Sequence, residues 1–323
     1  MSSRICCLDL DCFFVSVERL DRPELVGQPV VVGARPGSRG VVTAASYEVR
    51  KLGVRSGMPI SEAYRRAPRA IYLPTRHGQY GKYAAQVKTI LQRFCPVVQT
   101  ASIDEFFIDF HDCEAIYRRA DDVDDDRAIE RTVGAMRKAI QQETGLPASA
   151  GLAASRPVAK IASGLAKPAG VMLVRAGEEA AFLRDLPVRR WPGIGPVAER
   201  RLNDSGVTTL GQLLASPGRL GDAVRSCVDG VAERRLGRDR PAFREHDAEG
   251  LTHGSISSEN TFSADIGDMP RIDAELVSLC ERVCWRIRRR GVLARTLTLK
   301  LRYSNFETLT RSRTIKPTDA EQV

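Results

Sequence analysis

The chain contains 323 residues, of which 43% are hydrophobic, so it is too long for one ordinary core and apolar enough to bury two or more packed domains. Its formal net charge of +9 and its sequence pI near 9.3 indicate a polyanionic partner, because cationic side chains that neutralise phosphates release condensed counterions. No run reaches the roughly 20 apolar residues that a membrane-spanning helix requires, so no membrane partner is expected.

The first predicted elements lie at the N-terminus. Residues 4–10 form a short apolar run that ends in acidic residues and predicts a β-strand, and residues 12–20 have the apolar spacing of a helix packed on that strand. Residues 29–34 and 40–44 predict two further strands, which are joined by turn-forming residues of the sequence RPGSRG rather than by a helix. We therefore expect a small β-containing subdomain that extends to about Pro74.

The middle of the chain continues this mixed pattern. Residues 79–94 have helical periodicity, and strand-like runs at 96–101 and 106–110 bracket a turn over Ser102–Glu105. The acid-rich segment 121–126 is predicted to be a solvated helix start, from which a helix runs through Glu143. A strand-like run, ASAGLAA, and a helical run, PVAKIASGLAK, complete this part of the chain.

The C-terminal part changes character. Residues 178–241 read as short helices separated by Gly and Pro, with the sequence PGIG at 192–195, and predict a separate helical domain. After the polar segment 244–250 the pattern is α+β again, with a helix from about 270 to 290 and a strand at 296–303.

The cysteines and histidines do not form a recognisable site. The cysteines lie mostly inside apolar stretches without the spacing of a disulfide framework, and the N-terminus has no apolar signal segment, so we expect reduced thiols in the cytoplasm. Cys280 and Cys284 lack a second pair of ligands nearby, and the histidines are scattered, so neither a zinc site nor a Ser-His-Asp triad is indicated.

Acidic residues carry the chemistry that the sequence indicates. Asp9 ends an apolar strand, and Asp104 and Glu105 occupy a turn between two strands about a hundred residues later. Buried carboxylates are costly unless cations compensate them, and ligand sets made only of oxygen suit Mg²⁺. Two Mg²⁺ ions in such a site can activate a hydroxyl nucleophile and stabilise a pyrophosphate leaving group.

Four short motifs occur together in a fixed order. They are LDLDCFF at 8–14, ASYEVRK at 45–51, SIDE at 102–105 and AKPAG at 166–170. As an ordered set they resemble the Y-family DNA polymerases, most closely the DNA polymerase IV branch, over essentially the whole chain. The resemblance implies a template-directed DNA polymerase that adds deoxynucleotides to a primer 3′ end and performs low-fidelity translesion synthesis in DNA damage tolerance.

The same resemblance implies the architecture of the chain. We expect an α+β multidomain protein with the right-hand polymerase fold: a ferredoxin-like palm, small fingers, a helical thumb with a helix-hairpin-helix, and an α+β little finger. The corresponding ranges are 1–24 and 75–168 for the palm, 25–74 for the fingers, 169–242 for the thumb and 243–323 for the little finger. The last domain is expected to be incomplete, because the family's little finger continues into another helix and strand where this sequence ends in a polar tail.

The resemblance also implies roles for single residues. Asp9, Asp104 and Glu105 would be the catalytic carboxylates that bind two Mg²⁺ ions, with the backbone carbonyl of Leu10 completing one ion's ligands. The nucleotide triphosphate would be held by backbone N–H groups and by three side chains; these residues are Cys12, Phe13, Phe14, Tyr47, Arg50 and Lys167. Phe14 would in addition be the sugar gate, a bulky ring that excludes a ribose 2′-hydroxyl.

One position departs from the family pattern. Many relatives have threonine three residues before the fingers tyrosine, whereas this chain has Ala44 there and Thr43 one residue earlier. The threonine that would contact a phosphate in those relatives therefore has no counterpart at the matching position of this chain. A sliding clamp is a candidate partner of this branch, but the C-terminal clamp-binding peptide of many relatives is not visible in the sequence, and a monomer is the default oligomeric state.

Two basic segments are predicted to contact primer-template DNA. Residues 186–202 resemble a helix-hairpin-helix, in which Gly193 and Gly195 would let backbone N–H groups approach a phosphate. The stretch from Arg282 to Arg302 contains basic residues and no acidic one, which favours a phosphate-contacting surface. The arginines singled out there are Arg286, Arg288, Arg289 and Arg290.

Two other functions would share part of this sequence pattern with the polymerase. A catalytically inactive, polymerase-like DNA-binding adaptor in a lesion-bypass complex would lack the metal carboxylates, and all three are present here. A nucleotidyl cyclase would share the two-metal carboxylates but would not need a hairpin and a basic C-terminal domain.

Overall fold

The structure is a computed structural model that describes residues 4–228 and 255–319. Its strands in these ranges are β1 (Ile5–Leu10), β2 (Val30–Gly33), β3 (Val42–Ala45), β4 (Ile71–Leu73), β5 (Val98–Thr100), β6 (Glu105–Asp109), β7 (Ala148–Ala153), β8 (Val171–Leu173), β9 (Ala294–Arg302) and β10 (Thr308–Thr318). They form a five-stranded, a three-stranded and a two-stranded sheet.

Helices connect and cover these strands. They are α1 (Phe13–Asp21), α2 (Tyr47–Arg50), α3 (Ile60–Arg66), α4 (His77–Phe94), α5 (Glu114–Tyr117), α6 (Asp125–Thr144), α7 (Arg156–Leu165), α8 (Glu179–Leu183), α9 (Pro196–Asp204), α10 (Leu210–Ala215), α11 (Arg219–Val228) and α12 (Met269–Arg289). Two short 3₁₀ turns cover Pro23–Leu25 and Val188–Arg190. The mixture of helices with several sheets confirms the predicted α+β class.

Strand β1 is the central strand of the five-stranded sheet, whose order is β5–β6–β1–β7–β8. Alternate side chains of β1 enter two different cores: Cys6 and Leu8 face α1, α4 and α6, whereas Ile5 and Cys7 face α7 and the helices that follow it. Successive side chains of a strand point to opposite faces, so a strand covered on both faces is apolar throughout. This burial explains the continuous apolar run of the sequence.

The five-stranded sheet extends beyond the predicted palm. Strand β8 pairs in parallel with β7, with Ala150 opposite Val171 and Leu152 opposite Leu173, so the sheet continues past residue 168, where the predicted palm ends. Strand β8 has only three, half-buried residues, too few for a hydrophobic period to be recognised in the sequence.

The three-stranded sheet has the order β3–β2–β4. Strands β2 and β3 are antiparallel, as expected for strands joined by a turn, and β4 pairs in parallel with β2. Val31, Val42 and Ala45 pack with Val49 and Ile60 from the short helices α2 and α3 in a separate small core. This core holds α2, which begins at Tyr47, at the end of β3.

The predicted helix-hairpin-helix differs from the expectation in its first half. The segment before the hairpin is a single 3₁₀ turn, Val188–Arg190, and only the second half, α9, is an α-helix. Pro187 precedes the turn and Pro192 follows Trp191, whose backbone is extended with φ −71° and ψ 128°. A residue before proline is driven away from the helical region, so this helix cannot lengthen.

The C-terminal region pairs β9 with β10 in an antiparallel hairpin that follows α12. The sequence predicted α12 and β9 but only a polar tail after them, so strand β10 was missed. Over residues 310–314 its side chains alternate between Thr or Ser and Arg. The hydroxyls of Thr314 and Ser312 lie 3.2 and 2.9 Å from those of Thr296 and Thr298 on β9. This stretch is polar on both faces, so it has no hydrophobic alternation that would predict a strand.

Candidate active site

Pairing between β1 and β6 brings the predicted carboxylates together. Asp9 lies directly opposite Glu105 in the antiparallel register, and the backbone N–H of Leu10 donates a hydrogen bond to the carbonyl oxygen of Asp104 at 2.9 Å. The structure therefore places all four predicted metal-binding residues at one end of two neighbouring strands.

The acids lie close enough to affect one another electrostatically. The pKa of Asp9 is raised to about 6: burial raises it most, the ammonium group of Lys167 lowers it, and the negative charges of Asp104 and Glu105 add to the increase. Like charges at short range and low solvation both disfavour the ionised carboxylate. A cation placed among these oxygens would therefore stabilise their ionised forms.

Two lysines supply that positive charge in the structure. Lys167 donates to Oδ1 of Asp9, and the Nζ atom of Lys160 on α7 lies 2.5 Å from Oε2 of Glu105. In residues 4–228 and 255–319, no three His, Cys, Asp or Glu side chains are already gathered in a metal-binding group. The oxygen-only donor set still fits Mg²⁺, which prefers carboxylate and carbonyl oxygen, but the predicted ligand set remains a prediction.

The turn between β1 and α1 lies next to the acids. Cys12 is the residue before α1 and has a left-handed backbone with φ 46°, and the backbone N–H of Ser16 donates to its carbonyl oxygen at 2.9 Å. The first N–H groups of a helix have no acceptor within the helix, and the positive end of the helix dipole favours an anion there. The predicted phosphate-binding groups of Cys12, Phe13 and Phe14 lie at this helix start.

A buried acid that the sequence analysis did not single out lies at the centre of the site. The side chain of Asp11 accepts hydrogen bonds from the Ser149 hydroxyl at 2.9 and 3.0 Å and from the Ala169 N–H at 2.7 Å. Its residue is only 1% exposed. The sequence could have indicated this residue, because Asp11 is a second acid two residues after Asp9, at the end of a buried strand. A carboxylate in such a place requires hydrogen-bond donors.

Asp11 also connects two of the three predicted phosphate-binding side chains. The Tyr47 hydroxyl donates to Oδ1 of Asp11 at 3.3 Å, and the Nζ atom of Lys167 lies 3.9 Å from the same oxygen. Arg50 lies with its guanidinium carbon 5.3 Å from the centre of the Tyr47 ring and donates to the carbonyl oxygen of Ala45 at 2.9 Å. Tyr47, Arg50 and Lys167 are thus brought to the β1–α1 turn.

The sequence departure at Thr43 and Ala44 has a structural counterpart. Ala44 is buried, and the Thr43 hydroxyl lies 3.3 Å from the hydroxyl of Thr75, with which it forms a hydrogen bond. In the structure the Thr43 hydroxyl therefore has a hydrogen-bonding partner within the protein.

The predicted DNA-binding residues lie outside the five-stranded sheet, before α9 and at the end of α12. Gly193 has a φ of +94°, which only glycine adopts readily, and Gly195 precedes α9. The four predicted arginines lie at the C-terminal end of α12 and are exposed; they are Arg286, Arg288, Arg289 and Arg290. Arg289 lies over the ring of Trp285 at 5.1 Å, and Arg286 donates to the carbonyl oxygen of Ser257.

No helix in the two described ranges is both long enough and apolar enough to cross a bilayer.

Comparison with known protein families identifies two matching segments of the chain. Residues 8–164 match the impB/mucB/samB family, and residues 253–323 match the C-terminal domain of that family.

Curated relatives and solved structures agree with these family matches. The chain is 38% identical over 312 residues to a DNA polymerase IV of Dehalococcoides mccartyi, covering 96% of this chain and 76% of the relative. It is 40% identical over 321 residues to a DNA polymerase IV of Streptomyces coelicolor, covering 97% of this chain and 63% of that relative.

Two solved structures extend the likeness to the fold. A Y-family DNA polymerase chimera of Dbh and Dpo4 superposes with a TM-score of 0.74 at 26% identity. The match covers 97% of this chain and 88% of the chimera. A Dbh ternary complex has a TM-score of 0.61 at 25% identity with the same coverage. These likenesses confirm the predicted polymerase fold, and the chain belongs to the Y-family DNA polymerases, with relatives in the DNA polymerase IV branch.

Proposed function

We propose that this translesion DNA polymerase extends a primer 3′ end on a DNA template at the β1–β6 strand pair. In this proposal Asp9, Asp104 and Glu105, with the backbone carbonyl of Leu10, hold two Mg²⁺ ions. The observation that supports it best is the register that sets Asp9 opposite Glu105 while Leu10 hydrogen-bonds to Asp104.

The bound ions would supply the charge that activates the primer 3′-hydroxyl and stabilises the departing pyrophosphate. The protein's own groups bind and orient the nucleotide. Lys167 pairs with Asp9 in the structure, and a cation on Asp9 would free its ammonium group for the triphosphate. Tyr47 and Arg50 would contact the same phosphates, and the N–H groups of the first turn of α1 would receive them.

Phe14 is proposed to select the sugar. Its side chain is an apolar ring at the start of α1, and it has no group that could hydrogen-bond a 2′-hydroxyl. A ring in contact with the 2′ carbon would exclude the extra oxygen of a ribonucleotide by overlap. Deoxynucleotides are therefore the proposed substrates.

Primer-template DNA is the proposed partner. The hairpin at Gly193 and Gly195 would approach a phosphate through its backbone, and the four arginines Arg286, Arg288, Arg289 and Arg290 would add exposed positive charge. All the proposed catalytic groups come from one chain, so we propose a monomer. The described cysteines are free, in keeping with a reducing cytoplasm, and a sliding clamp remains a candidate partner.

The adaptor alternative is not favoured, because the three carboxylates are present and lie at one end of the same strand pair. Extension of a labelled primer with deoxynucleotides and Mg²⁺ tests the proposal directly. The double substitution Asp104→Ala with Glu105→Ala is expected to abolish extension while leaving primer-template affinity in place, and the exposed Glu143→Ala serves as the control. DNA binding without extension by the unsubstituted chain would point to the adaptor instead.

A further inference from the structure

A buried aromatic pair lies behind the proposed sugar gate. The rings of Phe14 and Tyr80 are stacked, with their centroids 3.9 Å apart and their planes inclined by 12°. Tyr80 comes from α4, is fully buried, and also meets the ring of Phe13 edge-on at 6.2 Å. One face of the Phe14 ring is therefore covered by a side chain from a different helix.

The phenol end of Tyr80 is fixed as firmly as its ring. Its hydroxyl donates to Oε1 of Glu18 at 2.8 Å, and the Nε atom of Arg76 donates to the same oxygen at 2.7 Å. Arg22 lies 3.8 Å from the other carboxylate oxygen of Glu18. Burial, together with the hydrogen bond to Glu18, raises the pKa of Tyr80 to about 12, so the phenol keeps its proton and acts as the donor.

Glu18 is an unexpected residue at this position. It lies one helical turn after Phe14 on α1, and its residue is only 1% exposed. A buried carboxylate costs free energy unless it is paired and hydrogen-bonded, and an apolar residue could fill the same space at lower cost. What the charged group provides that an apolar residue cannot is a directional acceptor for the Tyr80 hydroxyl.

We infer that Tyr80, held by Glu18 and Arg76, is a positioning residue that fixes the ring of Phe14 and thereby sets the discrimination between ribonucleotides and deoxynucleotides. This inference rests on the proposed role of Phe14 as the sugar gate. A ribonucleotide differs from its deoxy counterpart by one oxygen atom, so a gate excludes it only if the ring cannot turn or recede. The stacked Tyr80 ring opposes both movements, because either would break the stack or displace a hydrogen-bonded phenol.

The test is single-nucleotide incorporation with matched ribo- and deoxynucleoside triphosphates, expressed as the ratio of the two kcat/KM values. A variant that lowers only the folded fraction changes both values equally and leaves their ratio unchanged. Tyr80→Leu, which removes the ring, is expected to lower the preference for deoxynucleotides by roughly tenfold, and Tyr80→Phe and Glu18→Gln by smaller factors. Tyr83→Phe, on the same helix, is the matched control and should leave the ratio unchanged.

A double substitution tests whether Tyr80 acts through Phe14. If Tyr80 works only by holding the gate, Phe14→Ala combined with Tyr80→Leu should show the same ratio as Phe14→Ala alone. An unchanged ratio in Tyr80→Leu, beside a lost preference in Phe14→Ala, would overturn this inference and leave the gate in place. An unchanged ratio in Phe14→Ala would overturn both. Should Tyr80→Leu fail to fold, Tyr80→Phe decides, because it keeps the ring but loses the hydrogen bond to Glu18. An unchanged ratio in Tyr80→Phe would then contradict the inference.

Discussion

The backbone N–H of Leu10 donates to the carbonyl oxygen of Asp104 at 2.9 Å, one step beyond the pairing of Asp9 with Glu105. This hydrogen bond extends the β1–β6 ladder to the turn that carries Asp104. A slip of the register by one residue would turn every side chain of β1 to the opposite face of the sheet. The position of the carboxylates therefore depends on the packing that fixes β1 between its two neighbours.

Gly151 gives one test of that packing. It lies on β7 opposite Cys7 of β1, and a Cβ atom there would lie 2.1 Å from the carbonyl oxygen of Ala159 and 2.2 Å from the backbone nitrogen of Ser163 on α7. Gly151→Ala must push α7 away from the sheet, and we expect it to destabilise the protein by about 1–3 kcal/mol, as overpacking of a core does. Calorimetric or denaturant unfolding measures the effect.

Gly164→Ala is the matched control for this substitution. Gly164 also lies on α7, but no atom would lie within 4 Å of its new Cβ. Alanine is the better helix former, so this change should be neutral or stabilising by up to about 1 kcal/mol. Equal losses of stability in the two variants would show that the close approach of α7 to β7 is not the cause.

Lys160 is expected to compete with divalent cations for Glu105. Its ammonium group lies 2.5 Å from the Glu105 carboxylate, and its side chain is 46% exposed. Pairs of this exposure contribute roughly 0.2–1 kcal/mol, so Lys160→Met should tighten the binding of Mn²⁺ to the DNA-free protein by up to about fivefold. Isothermal titration calorimetry measures this without any turnover, with the exposed Lys138→Met as the control. Weaker Mn²⁺ binding by Lys160→Met would contradict competition and assign Lys160 a supporting role.

Asp11 is expected to affect the binding of the nucleotide more than the chemical step. Its carboxylate accepts from Ser149, Ala169 and Tyr47, and an asparagine would present an N–H group to at least one of these donors. An unsatisfied buried donor costs about 1–3 kcal/mol, so Asp11→Asn should raise KM for the deoxynucleotide by about tenfold or more. Steady-state incorporation of one nucleotide gives KM and kcat separately.

Ser149→Ala separates the role of Asp11 from general loosening of the site. It removes one donor but leaves the bonds from Ala169 and Tyr47 to the carboxylate. Its KM should therefore rise less than that of Asp11→Asn. Equal KM values for the two variants would mean that the hydrogen bonds from Tyr47 and Ala169 to Asp11 do not affect nucleotide binding.

The sequence predicted those parts of the site that depend on local pattern. Asp9 lies near the end of β1, a strand that is apolar on both faces, so it could be recognised within a short window. The sequence placed Asp104 and Glu105 together in a turn between two strands, whereas in the structure Glu105 is already the first residue of β6. Which acids are neighbours depends on strand register, and for that the ordered motifs and their family resemblance supplied the answer. In the structure, the antiparallel pairing of Asp9 with Glu105 is what makes these two acids neighbours.

Other parts of the site depend on contacts between distant segments. Asp11 is buried by groups from Ser149 and Ala169, more than a hundred residues away in sequence, and Lys160 reaches Glu105 only because α7 lies against β1 and β7. The sequence around Lys160 reads as an ordinary amphipathic helix, in which a lysine indicates a solvated face. Such residues could not be identified before the fold brought these segments together.

The salt dependence of DNA binding tests the predicted basic surface. Arg290 is exposed just after the last turn of α12, where it could neutralise a DNA phosphate and so release a counterion condensed on the DNA. If it neutralises one phosphate of a primer-template duplex, Arg290→Gln should reduce the slope of log K against log salt concentration by about 0.9. Fluorescence anisotropy titrations at several salt concentrations measure the slope, and Lys138→Gln on α6 removes the same charge elsewhere. A weaker affinity with an unchanged slope would contradict phosphate contact, because loss of a counterion-releasing charge must change the slope as well as the affinity.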